Sequence, residues 1–403
     1  MSNSAKTLVG LIGLLLAGCA TPPPKNSAQT PDWEELPAAA ALPAKPAVPP
    51  LVATPAVGAP NNCPPPAPVF PAKPWIPLAE WAHANALPAP VRLLAGPAPI
   101  YGLRSTNGVF IVRTGSQLAH WNGLELHLGF APRLIKGDPY LHWLDVQKTA
   151  QPLLAGGCGL GINTSPVIVI DPGHGGGDAG TRSVLDGHFE KEFTLDWARR
   201  LQRLLTACGW QALLTRSNDA ELALSNRVAF AAEHKADLFL SLHFNSAAPS
   251  QNEAGLETYC FTPAGMPSTL TRGYADEVAQ IFPNNAFDTQ NLLLALQVHR
   301  ALLDANGHHD RGVRRARFPA VLRGQQRPAI LIEGGYLSNP REARLIADPA
   351  YRQALAEAVA RGLGAEPSAI SKAQGQEAGQ ARSQGMDASA RALRERAHSA
   401  QSL

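Results

Sequence analysis

Two histidines and two glutamates carry the chemistry open to this sequence. His174 follows Val167-Ile-Val-Ile-Asp-Pro-Gly, a β-branched run that reads as a buried strand, and Asp-Pro-Gly stops the strand abruptly. The glycines that follow, Gly175 to Gly177, let the chain bend and leave the imidazole uncovered. His243 follows a second apolar run, Asp237-Leu-Phe-Leu-Ser-Leu242, and Glu333 a third, Ala329-Ile-Leu-Ile332. Glu190 opens a helical segment just after the loop of the first strand. In a mostly parallel sheet the carboxyl ends of the strands share one edge, so these four side chains would converge there. Two histidines and a carboxylate suit a hydrolytic zinc ion with a fourth position left for water. A further carboxylate nearby can take the proton of that water. Singly, each residue has a plainer reading: His174 in a turn, His243 in a core, Glu190 at a helix N-terminus favoured by the dipole. A carboxylate ending a buried strand, as in Ile332-Glu333-Gly-Gly, is harder to explain away because it needs a partner. A phosphate cradle is not indicated, since no Lys-Ser or Lys-Thr follows the glycines.

The elements that must position these residues alternate strand and helix from 166 to 364. Strands are predicted at Val167–Ile170, Gln211–Thr215, Asp237–Leu242, Leu256–Phe261 and Ala329–Ile332. Helices are predicted at Phe193–Cys208, Ser225–His234, Gln290–Asn306 and from about Arg341 to Gly362. This predicts an α/β fold, a mostly parallel sheet with helices on both faces. Residues 75–152 read as a small, mostly-β accessory domain, with a short amphipathic helix at Trp75-Ile-Pro-Leu-Ala-Glu-Trp81-Ala followed by alternating runs broken by Asn-Gly and Gly-Asp turns. His120, His127 and His142 lie there without ligand spacing and are expected to be surface or half-buried residues. Residues 153–165 form a glycine-rich linker, and 365–403 a polar tail expected to be disordered. The stretch between Phe261 and Gln290 is longer than a strand-to-helix turn needs. It either rims or covers the site or is inert, and its prolines interrupt any helical stripe.

The 403 residues carry a net charge of +3 without a dense basic run, which excludes a nucleic-acid footprint. Residues 1–18 read as an export signal, an apolar run too short to span a bilayer that ends in small residues. Leu16-Ala-Gly-Cys19 resembles the lipobox of bacterial lipoproteins, which makes Cys19 the lipidated first residue of the mature chain. Ala20 after it points to the outer membrane, with the protein facing the periplasm. The plainer alternative is an ordinary signal with an incidental cysteine. Residues 19–74 hold 17 prolines and read as an extended tether, up to ~170 Å at ~3.1 Å per residue. Four cysteines remain in an exported chain, and the expected bridges are Cys63–Cys158 and Cys208–Cys260; reduced Cys208 and Cys260 stand as the alternative.

Residues 166–364 resemble the zinc-dependent N-acetylmuramoyl-L-alanine amidases of the bacterial cell wall, the amidase-3 family. Six blocks carry the resemblance: Val-Ile-Asp-Pro-Gly-His174-Gly-Gly; Glu190-Lys-Glu-Phe-Thr-Leu-Asp-Trp-Ala198; Arg227-Val-Ala-Phe-Ala-Ala; Ala236-Asp-Leu-Phe-Leu-Ser-Leu-His243; Arg311-Gly-Val-Arg-Arg-Ala; and Pro328-Ala-Ile-Leu-Ile-Glu333-Gly-Gly-Tyr-Leu-Ser-Asn339-Pro. The resemblance implies zinc held by His174, Glu190 and His243, and Glu333 as general base. Glu190 rather than Glu192 fits the family's Glu-Lys-x-x-x-Leu-x-x-Ala pattern, which leaves Glu192 as a solvated first-turn residue. Arg227 and Asp237 either pair near the site or have ordinary surface roles. His188, His308 and His309 match no block and read as loop residues. The glycines beside His174 would keep bulk away from zinc and substrate. The implied reaction is hydrolysis of the amide between the lactyl group of N-acetylmuramic acid and L-alanine. Its rivals are a zinc peptidase cutting within the stem peptide and a non-catalytic wall-binding lipoprotein. Expected partners are peptidoglycan, a membrane reached through the lipid anchor and an envelope activator protein. The second half of 75–152 carries a diffuse resemblance to the stalk domains of copper-amine-oxidase N-terminal type.

Overall fold

The computed structural model describes residues 73–155, 166–270, 276–317 and 320–365. Cys19, the signal, nearly all of the tether, Cys63, Cys158 and the tail lie outside the described residues, and so does the Cys63–Cys158 bridge. The chain enters through β1 (Trp75–Pro77) and α1 (Leu78–Ala84), so the helix expected from Trp75 starts three residues later, behind Pro77. A meander follows: β2 (Val91–Leu94), β3 (Ile100–Ser105), β4 (Gly108–Arg113), β5 (Leu118–Trp121) and β6 (Leu124–His127). Its last hairpin closes on Asn122-Gly123, both left-handed at φ +50° and +79°, which suits the twist of paired strands. β7 (Arg133–Ile135) and β8 (Asp138–His142) join β1 in a three-stranded sheet. The chain then turns through α2 (Trp143–Asp145), a π-turn at Val146–Ala150 and α3 (Gln151–Ala155), so the first three residues of the expected linker are helical.

The second half contains β9 (Val167–Pro172), α4 (Glu190–Ala207), β10 (Gln211–Leu214), α5 (Leu224–Glu233), β11 (Leu238–Asn245) and β12 (Leu256–Phe261). It continues with α6 (Asp288–Asn306), β13 (Asp310–Ala316), α7 (Ala320–Arg323), β14 (Ala329–Tyr336), α8 (Pro340–Ala347) and α9 (Pro349–Gly362). α4 buries Trp197, Ala198, Leu201, Leu204 and Leu205 along one stripe and ends at Gly209, φ +88°. The last predicted helix is two, parted at Asp348-Pro349, where proline starts a new helix capped by Asp348.

One mixed sheet of eleven strands runs through both halves in the order β10-β9-β11-β14-β12-β13-β6-β5-β4-β3-β2. β10, β9, β11 and β14 are parallel, whereas β12 and β13 run the other way. Helices α4, α6 and α9 cover one face over Ile168, Ile170, Leu240, Leu242 and Ile332. α5 and α7 cover the other over Val169, Phe239, Leu331 and Phe261. The mostly-β region is therefore an extension of the site-bearing sheet, joined where β6 pairs with β13 at Leu126 and Val313. Polar contacts fasten this seam. Asp310 accepts the Glu125 N–H (2.9 Å), Arg300 donates to the Asn122 carbonyl (2.8 Å), Lys148 pairs with Asp288 (2.9 Å) and Arg315 donates to the Lys148 carbonyl (2.7 Å).

Two expectations change here. Cys208 and Cys260 are both free thiols. Cys208 caps α4, which packs on β10, β9 and β11, while Cys260 lies on β12; three strand spacings from β9, ~14 Å, exceed the ~7 Å Cα limit of a disulfide. The described part of the long stretch after Phe261 lies at the edge opposite the strand ends that carry the histidines, because β12 is reversed. Arg317 holds it there through the carbonyls of Pro263, Val278 and Gln280. A rim or lid over the site is therefore excluded for those residues. Among the described residues no helix is long and apolar enough to cross a membrane.

Candidate metal centre

His174 lies just beyond β9 and takes a left-handed backbone, φ +63°, uncommon for a residue other than glycine. Two arginines hold this turn by its carbonyls. Arg216 donates to Pro172 (3.0 Å) and Gly173 (2.8 Å), and Arg227 to Pro172 (2.9 Å) and His174 (2.8 Å). Arg227 also pairs with buried Asp171 at 2.7 Å, and Thr215 and Ser241 hydroxyls donate to the same carboxylate. The partner of Arg227 is thus Asp171 and not Asp237, whose carboxylate accepts the Val167 N–H instead. Arg216 escaped the sequence reading because nothing in its neighbourhood marks it as facing the turn; only the pairing of β10 with β9 brings it there.

The carboxylate of Glu190 is buried at the start of α4 between the two imidazoles. Its Oε2 lies 3.1 Å from His174 Nε2 and its Oε1 2.9 Å from His243 Nδ1. Each oxygen also accepts a backbone N–H, from Thr181 and Phe244, both at 3.0 Å. The remaining nitrogen of His174, Nδ1, is 2.8 Å from Asp178, which fixes the ring and directs Nε2 inward. Burial opposes a charge on His174, but the bonds to Asp178 and Glu190 outweigh it and push the imidazole up to about 10. Burial likewise opposes ionisation of Glu190, yet His174 and His243 hold its carboxyl well below the usual range. Two nitrogens and one carboxylate oxygen lie within 4.8 Å of one another. Two imidazoles and a carboxylate are a donor set that zinc favours.

Glu333 is the direct neighbour of His243 in the β11–β14 register and so points to the same side of the sheet. The four residues expected to meet are therefore gathered at one edge. Glu192 stays out of the cluster, accepting the Phe189 N–H (3.1 Å) and pairing with His188 (2.6 Å). His308 pairs with Glu342 and meets Tyr351 edge-on. His142 stacks on Phe130 and caps α2. The glycines act differently from the expectation. A Cβ at Gly175, Gly176 or Gly177 would strike Ala220 or Glu221 in a neighbouring loop, so these glycines admit that loop rather than substrate. Bulk near the ligands is instead excluded at Gly173 and Gly180, where a Cβ would fall 2.3 Å from the His243 ring and 2.6 Å from that of His174.

Known proteins resemble this chain over the region that carries the site. The amidase-3 family, described as N-acetylmuramoyl-L-alanine amidase, matches residues 168–365. The chain is 31% identical over 218 residues to the N-acetylmuramoyl-L-alanine amidase AmiA of Escherichia coli K12, covering 49% of this chain and 74% of that protein. It is 30% identical over 276 residues to the amidase AmiC of Neisseria meningitidis serogroup B, covering 58% and 65%. The catalytic domain of the amidase CwlV from Bacillus (Paenibacillus) polymyxa is 32% identical, with a TM-score of 0.41 over 49% of this chain and 96% of that one.

Proposed function

The chain belongs to the amidase-3 family of N-acetylmuramoyl-L-alanine amidases, and we propose that it works with one zinc ion held by His174, Glu190 and His243 and with Glu333 as general base. It is a peptidoglycan hydrolase, cleaving the amide between the lactyl group of N-acetylmuramic acid and L-alanine. The observation that carries the zinc reading is the buried Glu190 carboxylate flanked at 2.9 and 3.1 Å by the two imidazoles, with Glu333 on the adjoining strand. Zinc bound there would polarise the scissile carbonyl and lower the pKa of the attacking water. Glu333 takes the proton of that water and delivers it to the leaving amine of L-alanine. Asp178 and the two arginines keep His174 in register while this happens.

A chelator should abolish release of stem peptides from purified peptidoglycan, and added zinc should restore it. His174→Ala should lose both bound zinc and activity, because two of three protein ligands hold a metal poorly. Unchanged zinc content in that variant would refute the ligand set. Free lactyl-muramic acid among the products identifies the amidase; stem peptides cut internally would identify a peptidase.

The reading extends to an outer-membrane lipoprotein facing the periplasm, with Cys19 acylated and residues 19–74 as tether. Two or more acyl chains supply the stable anchoring that one chain does not. Cys19→Ser is expected to move the protein from the membrane fraction to the soluble periplasm, and a variant that stays membrane-bound would refute the anchor.

A further inference from the structure

On the side of the sheet that carries Glu333, the next strands present a second polar group. Glu257 stands directly opposite Glu333 in the β12–β14 register. Its carboxylate is already fully engaged: Arg311 donates at 2.7 Å, Asn245 at 3.1 Å, Tyr336 at 3.3 Å, and Tyr259 also donates. Two oxygens accept about four hydrogen bonds in all, so no place is left. Arg314, opposite Tyr259 on β13, approaches only as a charge, with Nε 3.4 Å from the carboxylate. That Nε is buried and makes no hydrogen bond among the described residues. Its neighbour across the seam is His127 of β6, whose Nε2 is likewise buried without a hydrogen-bond partner among them.

Arg314 shares Glu257 with Arg311, but its Nε makes no hydrogen bond to that carboxylate. Arg311 is matched by Glu253 as well as Glu257. Burial, then the Arg314 charge, push His127 down to about 4, so it is neutral and does not compete for an anion. Burial, then Asp310, push Glu125 up to about 7, which weakens the other carboxylate facing Arg314. Arg314 Nε comes within 3.4 Å of Glu257 on β12, and β12 lies one strand spacing of ~4.8 Å from the strand of Glu333. Two extended residues span ~7 Å, so a group on the residue after L-alanine can reach it from the scissile bond.

We propose that Arg314, with His127 beside it, binds a carboxylate of the stem-peptide residue that follows L-alanine and so selects acidic stem peptides. This rests on the amidase reading and adds a substrate contact built partly from a strand outside the matched family region. The guanidinium supplies the paired donors that suit a carboxylate, and His127 a neutral contact to the adjoining amide.

The test uses the full chain and two soluble substrates, N-acetylmuramoyl-L-alanyl-D-isoglutamate and its carboxamide counterpart. Arg314→Gln should raise KM for the carboxylate substrate roughly 10–100-fold, the range for losing a charge-assisted hydrogen bond, with kcat little changed. For the carboxamide KM should be high in the wild type and the same in the variant. Arg314→Lys should recover part of the preference. Zinc content, measured on each variant, should match the wild type, and the thermal midpoint should stay well above the assay temperature. An equal rise for both substrates, or none for the carboxylate, overturns the proposal. A wild type that cleaves neither substrate and releases no product from sacculi overturns the amidase reading itself.

Discussion

Glu333→Gln is expected to slow hydrolysis of the muramyl–L-alanine amide roughly 10²–10⁴-fold, the usual share of a general base, while zinc stays bound at one equivalent. The amide has the size and shape of the carboxylate, so the register of β14 against β11 and the place of His243 should survive. What disappears is the acceptor for the proton of the attacking water. Rate on purified peptidoglycan and metal content on the same preparation decide the matter together. Loss of zinc would make Glu333 a ligand instead, and a rate within a few-fold of wild type would remove it from the chemistry. His174→Ala should fail by losing the metal; the two variants together separate holding the ion from moving the proton.

Arg227→Met is expected to cost about 3–5 kcal/mol of stability and to lower zinc affinity, although Arg227 touches neither the metal position nor the substrate. Its guanidinium is the cationic partner of buried Asp171, at 2.7 Å, and it holds the carbonyls of Pro172 and His174. Methionine fills similar space but leaves Asp171 without its ion-pair partner, held among the described residues by the Thr215 and Ser241 hydroxyls and the more distant charge of Arg216. It also frees the carbonyl that keeps His174 left-handed. At an unfolding entropy of ~2.1 cal/mol/K per residue over a folded part of this size, the thermal midpoint should fall by roughly 5–9 °C. A companion variant, Asp171→Asn with Arg227→Met, should recover part of the stability by removing the stranded charge. No recovery, or undiminished zinc affinity in the single variant, would show that the turn is held by other means.

Much of the site was legible because its signals are local. A β-branched run ending in Asp-Pro-Gly-His or Ile-Glu-Gly-Gly announces both a strand and the side chain thrown off its end, and Val167–Pro172 and Ala329–Tyr336 are strands in fact. The same holds for α4, whose buried stripe repeats at helical spacing and whose first residue is Glu190. Asp310–Ala316 was missed as a strand because Arg-Gly-Val-Arg-Arg has neither an apolar run nor clean alternation; its polar residues are buried by partners from β12 and β6. Arg216 and Arg314 were missed for a related reason: an arginine looks the same in sequence whether it is solvated, stands beside a buried carboxylate as Arg314 does, or holds four carbonyls as Arg216 does.

By itself, then, the sequence determined which residues stand at strand ends and helix starts, and thereby the proposed ligand set of His174, Glu190 and His243 with Glu333 beside it. Only the tertiary structure decided the direction of β12, the continuation of the sheet from β13 into β6, and the separation that leaves Cys208 and Cys260 as thiols. The physical reason is range. Hydrophobic period and turn chemistry act within a few residues of one another, whereas strand order and direction are settled by hydrogen bonds and packing between segments far apart in the chain. Reversal of β12 put the described part of the long loop at the opposite edge, away from the site. Pairing of β6 with β13 brought His127 next to Arg314.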